Sequence, residues 1–300
     1  MSPSRHSPVA AFLVGTLGIA TFSMMDAVMK GLVLAMGTYA ALLWRMAAAS
    51  LLTSVLFVRD PRKPSEAAMK VHLFRGTLSA GMAVLFFWGL ARVPLAQGVA
   101  LAFIAPLISL YLAAAFLGER VGGRTVGASL VAFGGVLLIL VGQARADLGH
   151  EALLGSLAIL ASAICYAVNI ILMRRQAQLA GPVEVAFFQN VIVSATLLAA
   201  WPLIGGAALP SAEQWPMVLL AALLSTASLL LLTWAYARAE ANYLSATEYT
   251  AFLWAALFGW LVFGEPLSPF TVAGTLLIVA GCILAARKPQ EASPALEASV

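Results

Sequence analysis

Three charged residues lie inside two long apolar stretches near the start of the chain: Asp26, Lys30 and Arg45. A charge in such a stretch is costly to bury and is therefore a candidate for a functional site. Asp26 and Lys30 are four residues apart, so on a helix they share a face and could pair with each other. Arg45 could meet Asp26 from the next stretch. We expect this cluster to gate or couple a process at one end of the molecule, or to form an interfacial ion pair that orients this end.

Glu248 is an isolated carboxylate within the segment YLSATEYTAFLWAALF, where no basic residue is near in sequence. A partly desolvated carboxylate could exchange protons with a substrate cation or carry coupling. The alternative is that Glu248 points into water at the end of its apolar stretch. The sequence favours a role for Glu248 in substrate binding or coupling.

The other candidates for a binding site are uncharged. Amides can bind a carboxylate or an ammonium without carrying charge, and aromatic rings can form the apolar wall of a cavity. Ordinary helix packing explains any single amide or ring as well. Pro106, within LAFIAPLISLYLAAAFLGE, can bend a helix and free a backbone carbonyl. The candidate substrate-binding residues of these types are Trp88, Phe103, Tyr111, Tyr166, Asn169, Gln189, Asn190, Trp234 and Tyr249.

The histidines and cysteines of the sequence suggest no catalytic or metal site. His6, His72 and His150 fall at or beyond the ends of apolar stretches, and the two cysteines lie within such stretches. The sequence contains no HExxH, GxSxG or Walker loop. We therefore expect neither an enzyme nor an ATP-driven pump, and we expect no cofactor and no metal. Substrates rich in phosphate are disfavoured because they need several cationic donors.

The composition is that of an integral membrane protein. Apolar residues make up 62% of the chain, charged residues 10%, and the mean hydropathy is +0.96, which leaves too little polar surface for a water-soluble fold. Stretches of about 20 apolar residues are long enough to cross a bilayer. We predict an all-α protein with ten transmembrane helices, at residues 9–29, 38–58, 71–90, 95–117, 125–142, 153–173, 182–203, 214–237, 243–263 and 270–286.

The sequence repeats itself. A shift of 146 positions aligns residues 90–128 with residues 236–274 and superposes Arg92 on Arg238 and Glu119 on Glu265. Each half holds an odd number of predicted helices, so the second half must enter the membrane from the opposite side. Inverted repeats of this kind commonly build alternating-access transporters, with the substrate between the halves. We interpret Glu119 and Glu265 as structural, because each precedes the positive start of the last helix of its half.

The repeat predicts how the chain is organised. We expect a first repeat over residues 9–142 and a second over residues 153–286, each with five helices. Residues 1–8 would form a cytoplasmic N-terminus and residues 287–300, rich in Ala, Glu, Ser and Pro, a disordered cytoplasmic tail.

The positions of Lys and Arg predict the orientation, because cytoplasmic loops carry the excess of these residues. One side holds only Lys30, Arg92 and Arg145. Both termini are therefore expected in the cytoplasm, and the net charge of +4 reflects topology rather than a nucleic-acid surface. The other side holds Arg5, Arg59, Arg62, Lys63, Lys70, Arg75, Arg120, Arg124, Arg174, Arg175, Arg238, Arg287 and Lys288.

Two related segments, FLGERVGGRTVGASLVAFGGVLLI and VFGEPLSPFTVAGTLLIVAGCIL, close the two halves. With five predicted helices in each half, the chain resembles the EamA repeats of the drug/metabolite transporter superfamily over residues 9–286. Members of this type export aromatic and other amino acids or carry other metabolites. The resemblance implies that the third, fourth, eighth and ninth helices line a central cavity, near Trp88, Phe103, Pro106, Tyr111, Trp234, Glu248 and Tyr249.

We therefore expect an alternating-access exporter of amino acids, aromatic or large neutral ones, in the bacterial inner membrane. A zwitterion with an apolar side chain suits a cavity with few charges, several amides and many apolar walls. The expected surroundings are the lipid bilayer and no nucleic acid, with a monomer as the working unit and a dimer left open. The alternatives are an exporter of small organic cations or drugs, for which Glu248 among aromatic rings would be the site, a lipid or isoprenoid carrier, and a passive channel.

Overall fold

The structure is a computed structural model, which describes residues 8–59, 61, 63–117, 123–145, 149–204, 208–236, 238, 244 and 247–286. Most of the predicted N-terminal segment (1–8), Glu119 and the predicted tail (287–300) lie outside the described residues. Within the described part, the chain forms helices joined by short turns. These are α1 (Pro8–Met36), α2 (Thr38–Phe57), α3 (Glu66–Leu90), α4 (Leu95–Ala102), α5 (Ala105–Leu117), α6 (Gly123–Arg145), α7 (Gly149–Ala177), α8 (Pro182–Ile204), α9 (Trp215–Tyr236), α10 (Ala251–Phe263) and α11 (Pro269–Ala286).

Eight segments of the described chain are long and apolar enough to cross a membrane, and α10 and α11 are shorter apolar helices. One of the eight runs through both α4 and the start of α5. Large apolar side chains such as Leu51, Leu130 and Leu223 are exposed on the outer faces of the helices. Exposed apolar faces on helices of this length are typical of contact with lipid, because a helix satisfies its backbone hydrogen bonds internally.

Helix α3 begins five residues earlier than its predicted span. Ser65 caps its start by accepting a hydrogen bond from the backbone N–H of Ala68 at 3.1 Å, which satisfies one of the free donors of the first turn. His72 and Arg75 lie within both the predicted span and α3, and both side chains are buried. The sequence predicts a membrane end for His72 and the cytoplasmic side for Arg75, and neither prediction anticipates that the two side chains are buried.

Both halves contain a broken helix at equivalent positions. The predicted fourth helix breaks at residues 103–104, just before Pro106, and the predicted ninth helix breaks at residues 249–250. The two turns are related by the shift of 146 found in the sequence. Pro106 explains the first break because it has no N–H to donate. Phe252 stands at the equivalent position in the second half, so the second break forms without a proline.

The two halves pack against each other in opposite directions. Near the start of α2, the Tyr39 hydroxyl donates to the carbonyl of Leu197 near the end of α8, at 2.5 Å. Near the end of α2, the Phe57 ring stacks on Phe187 near the start of α8, with ring centres 4.3 Å apart. Helices α2 and α8 are equivalent in the repeat, and they run antiparallel. The repeats are therefore inverted relative to each other, as the odd number of predicted helices in each half implied.

The other large helix contacts follow the same symmetry. Helix α1 packs on α9, and its repeat equivalent α7 packs on α3. Helices α6 and α11, also equivalent, pack through glycines: a Cβ on Gly135 would lie 2.5 Å from the carbonyl oxygen of Gly274. Gly123 and Gly127, whose spacing predicts close packing, have no atom of a neighbouring helix within 4 Å of such a Cβ. The close contact of α6 is thus farther along the helix than predicted.

Candidate functional site

One end of the molecule is closed by a hydrogen-bonded ion pair between the two halves; we call it the outer end, following the predicted orientation. The Lys30 ammonium pairs with the Glu265 carboxylate and donates to the carbonyl of Val93 at 2.6 Å. The second Glu265 oxygen accepts from the backbone N–H of Leu95 at 2.6 Å. A carboxylate there complements the positive start of α4. The ion pair therefore ties α1 and the α3–α4 turn to the α10–α11 turn.

This arrangement corrects two predictions. Lys30 pairs with Glu265 and not with Asp26, although Asp26 is one turn away on the same helix. Glu265 complements the start of α4 rather than that of α11, which follows it in sequence. Both differences have one cause, because the partners are brought together by contact between the halves and not by their spacing along the chain.

Asp26 and Arg45 are both buried and interact electrostatically across α1 and α2. Their charged atoms are not within ion-pair distance, and the Asp26 Oδ1 and Arg45 Nε atoms have no hydrogen-bond partner among the described residues. The Arg45 guanidinium lies 5.9 Å from the centre of the Phe87 ring, and its Nη1 is 3.6 Å from the sulfur of Met25. Buried polar atoms without partners are uncommon and often mark a functional site or bound water.

A chain of five polar side chains joins the halves near the opposite, inner end. Arg75 donates from Nη1 to Gln176 and from Nε to Asn169 at 2.8 Å. The Gln176 Nε2 lies 2.6 Å from His72 Nδ1, and His72 Nε2 lies 3.1 Å from a Glu184 oxygen. Arginine can only donate, so the Gln176 oxygen faces Arg75 and its amide donates to His72. The neutral His72 ring consequently donates from Nε2 to Glu184.

Glu248 lies in a group of tyrosines at the same end. The Tyr236 hydroxyl donates to a Glu248 oxygen at 2.6 Å. Tyr166 is close enough to interact electrostatically with both Glu248 and Arg75. The side chains of Glu248, Tyr166 and Tyr236 are exposed. The group therefore offers a reachable carboxylate, several hydroxyls and aromatic faces, next to the chain of polar side chains that contains Arg75.

The two helix breaks meet between the halves. The rings of Phe103 and Tyr249, which occupy equivalent positions in the repeat, are in edge-to-face contact with centres 5.7 Å apart. The Cys282 thiol lies 3.3 Å from the Phe103 carbonyl oxygen, a group that the break leaves without its usual N–H partner. Discontinuous helices at a repeat interface are a recurrent setting for substrate sites in transporters.

The predicted tryptophans lie at helix ends. The Arg92 guanidinium lies 3.6 Å from the centre of the Trp88 ring, and Arg238 lies 4.2 Å from that of Trp234. The two pairs occupy equivalent positions, near the ends of α3 and α9. Aromatic rings with a basic neighbour are typical of membrane–water interfaces. This placement favours an anchoring role for both tryptophans, and substrate binding by them stays a prediction.

The remaining predicted residues are placed between helices. The Tyr111 hydroxyl is 2.5 Å from that of Ser129 on α6, and Asn190 donates to Thr53 on α2 at 3.4 Å. The Gln189 Oε1 is buried without a partner among the described residues. These contacts do not bring Tyr111, Gln189 or Asn190 to the Glu248 group.

Sequence analysis missed several residues of the inner end. His72, Arg75, Gln176, Glu184 and Tyr236 make the contacts described above. A signal was available for two of them: His72 and Arg75 are three residues apart and therefore share a helix face. The others are recognisable only once α3, α7, α8 and α9 are assembled.

A small cavity lies beside Glu265 of the outer ion pair. Its volume is about 160 Å³, and its lining includes Gln97, Gln143, Thr271 and Glu265. The Gln97 amide donates to the Gln143 Oε1 at 3.1 Å. The cavity is thus mainly apolar with a few polar groups, and Glu265 of the outer ion pair forms part of its wall.

Comparison with known families decides the class of the protein. The model of the EamA-like transporter family matches residues 9–141 and again residues 153–287. The chain belongs to the EamA-like transporter family. Each half carries one EamA unit, and the protein is a multi-pass membrane protein of a transporter family.

Three relatives illustrate what EamA-like proteins of this kind carry. The pseudopaline exporter of Pseudomonas aeruginosa is 27% identical over 92% of this chain and 95% of its own length. The riboflavin transporter of Rhizobium johnstonii is 31% identical over 95% of this chain and 91% of its own length. The probable terminal-alkyne amino-acid exporter of Streptantibioticus cattleyicolor is 30% identical over 78% of this chain and 77% of its own length. All three are described as moving small molecules.

The fold of this EamA-like protein also matches a solved structure. A crystal structure with 21% sequence identity superposes with a TM-score of 0.60, over 93% of this chain and 98% of the other. At this level of identity, the match shows a common fold.

Proposed function

We propose that this EamA-like transporter exports aromatic or large neutral amino acids from the cytoplasm by alternating access across the bacterial inner membrane. The chain would cross the membrane ten times, in two inverted repeats over residues 9–142 and 153–286, with both termini cytoplasmic. The eight long segments and the shorter helices α10 and α11 are consistent with ten crossings. The working unit would be a monomer without cofactor and without enzymatic activity.

The observation that carries this proposal is the difference between the two ends. At the outer end, Lys30 and Glu265 join the halves, while at the inner end Glu248 and its neighbouring tyrosines stay exposed. In the predicted orientation this arrangement admits a substrate from the cytoplasm and blocks its exit. A transporter that exports must adopt such a state before it opens outward.

Transport would follow from rocking of one half against the other. The Lys30–Glu265 pair must separate to open the outer end, and the polar chain between Arg75 and Glu184 must give way as the inner end closes. The contact between Phe103 and Tyr249 lies on the symmetry element between the halves and would act as the pivot. Asp26 and Arg45, buried and incompletely bonded, would couple this motion to a proton.

The chemistry of the inner end supports an amino acid as the substrate. Aromatic rings and apolar side chains supply a wall for a large side chain, while Glu248 can accept from an ammonium group. One relative is a probable exporter of an amino acid. A carboxylate among tyrosines also suits a small organic cation, which is the second candidate.

Counterflow tests the proposal. Proteoliposomes containing the purified protein are preloaded with unlabelled phenylalanine, and uptake of external radiolabelled phenylalanine is measured against leucine, choline and riboflavin as competitors. We expect saturable uptake that leucine inhibits and choline does not. Inhibition by choline alone would favour the cation exporter, and uptake that never saturates would indicate a channel. Folded protein that shows no phenylalanine counterflow would contradict the proposal.

A further inference from the structure

Arg75 is a buried arginine within a membrane-crossing helix, and no carboxylate among the described residues lies within ion-pair distance of it. Its hydrogen bonds go to the neutral side chains of Asn169 and Gln176. Neutral amides satisfy its donors but leave its charge without a counter-charge. A charged side chain in this position usually pairs with an opposite charge or marks a substrate pathway.

The nearby carboxylates are already engaged. Glu184 accepts from His72, and Glu248 accepts from Tyr236. Tyr166 is close enough to interact electrostatically with both Arg75 and Glu248. Neither carboxylate pairs with Arg75 in the described part of the chain, so its positive charge is available to a ligand near the Glu248 group.

Two of the three guanidinium nitrogens hold Arg75 in place. Nε and Nη1 are bonded to α7, and the Gln176 amide is itself fixed by His72. Nη2 makes no hydrogen bond in the described part of the chain, and it is not among the fully buried polar atoms that lack a partner. A fixed guanidinium with one accessible nitrogen is prepared to bind an anionic oxygen with little loss of side-chain freedom.

We propose that Arg75 binds the carboxylate of the transported molecule, so that the substrate class is a carboxylate-bearing amine rather than an amine alone. This inference rests on the proposed function and adds a specificity residue to it. Charge-assisted bonds from arginine to a carboxylate are among the strongest in proteins. The carboxylate also supplies the counter-charge that Arg75 lacks, so the empty site carries an electrostatic cost that binding removes.

The experiment compares ligands that differ in one charge. Phenylalaninamide keeps the ammonium of phenylalanine but loses the anionic carboxylate. In wild-type proteoliposomes, we expect phenylalanine to inhibit phenylalanine counterflow roughly 10- to 100-fold more strongly than phenylalaninamide, as expected for one charged hydrogen-bonded contact. In Arg75→Gln this ratio should fall to about 1 if the contact is lost. The matched control is Arg92→Gln, which removes an arginine bound to Glu151 at the outer end and should keep the ratio.

Two further variants keep the test decisive if Arg75→Gln does not fold. Arg75→Lys keeps the positive charge but lacks the planar guanidinium with its several N–H donors. The ratio of inhibition by phenylalanine to inhibition by phenylalaninamide should therefore be intermediate. Asn169→Asp supplies a permanent carboxylate beside Arg75 and should lower the ratio without removing the arginine. If any of these Arg75 or Asn169 variants folds and keeps the wild-type inhibition ratio, the inference is overturned while the proposed function stays intact. Absence of phenylalanine counterflow in the wild type would contradict the proposed function instead.

Discussion

In the proposed substrate site, Glu248 would bind the ammonium group, as Arg75 would bind the carboxylate. Replacing it by Gln keeps an oxygen for the Tyr236 hydroxyl, which is 2.6 Å away, and removes only the charge. We expect the rate of phenylalanine counterflow to fall roughly 10- to 100-fold. Glu151→Gln is the control, because Glu151 is exposed at the outer end and pairs with Arg92. Unchanged transport and unchanged pH dependence in Glu248→Gln would remove Glu248 from the site.

The Lys30–Glu265 pair can be tested by exchanging its charges. Lys30→Glu places two carboxylates together and Glu265→Lys two ammonium groups, so each single variant should lose the closed outer end and most of its counterflow. The double variant restores an opposite pair and should recover activity, although Glu265→Lys also removes the acceptor for the Leu95 N–H. Additive losses in the double variant would show that the two residues do not act on each other.

Asp26 offers a test of coupling. In the wild type, we expect an outside-acid proton gradient to accelerate phenylalanine efflux from right-side-out vesicles. Asp26→Asn removes the group that would carry the proton but keeps a polar side chain beside Arg45, so efflux should continue without responding to the gradient. Glu66→Gln, on the exposed start of α3, should respond like the wild type. A full response in Asp26→Asn would assign coupling to another residue.

At the level of helices, the contact between α6 and α11 makes the clearest prediction for stability. A Cβ on Gly135 would lie 2.5 Å from the Gly274 carbonyl oxygen, whereas one on Gly134 would have no atom within 4 Å. Gly135→Ala should lower the free energy of unfolding by about 1–3 kcal/mol. Gly134→Ala should be neutral or slightly stabilising because alanine favours a helix. Thermal unfolding of the two variants in detergent, followed by circular dichroism, compares them; equal midpoints would contradict the close contact.

The helix breaks show what the sequence can and cannot predict about an element. Pro106 predicts the first break, because proline cannot donate the hydrogen bond that continues the helix. The second break has no proline. There the Thr250 hydroxyl bonds the Thr247 carbonyl at 2.6 Å, a local side-chain bond that competes with the helix. The packing around the segment decides whether the side-chain bond or the helix prevails, so Thr250 alone does not predict the break.

The inner polar chain was hidden from sequence analysis for a related reason. Hydropathy starts the third helix at residue 71, which puts His72 and Arg75 at the end of the predicted span, while the Ser65 cap extends α3 outward. The partners of Arg75 lie about 100 residues away, on α7. Their identity depends on which helices pack together, which the pattern of one chain does not specify. Asn169 and Tyr166 were recognisable only as polar groups within a span.

For the whole molecule, the repeat predicted more than any motif did. The match between residues 90–128 and 236–274 predicted two related halves, and each half carries an EamA unit. The antiparallel packing of α2 on α8 agrees with the predicted inversion. Which helices meet across the halves was not predicted. The pairing of α1 with α9 and of α3 with α7 is what brings Lys30 to one end and Arg75 to the other.

If the two ends open alternately, the outer cavity must become more accessible when substrate is bound. Thr271 and Glu265 both line this cavity. A cysteine at this position, Thr271→Cys, can be introduced after the native thiols are replaced by Cys165→Ala and Cys282→Ser, the latter keeping a donor for the Phe103 carbonyl. A membrane-impermeant maleimide added from outside then reports how often the outer end opens.

Measuring this labelling rate with and without phenylalanine is the most direct test. We expect slow labelling without substrate and faster labelling with saturating phenylalanine, because the substrate allows the halves to move to the outward-open state. Phenylalaninamide should leave the rate unchanged. A labelling rate that phenylalanine does not alter, in protein that still binds it, would contradict alternating access between the two ends.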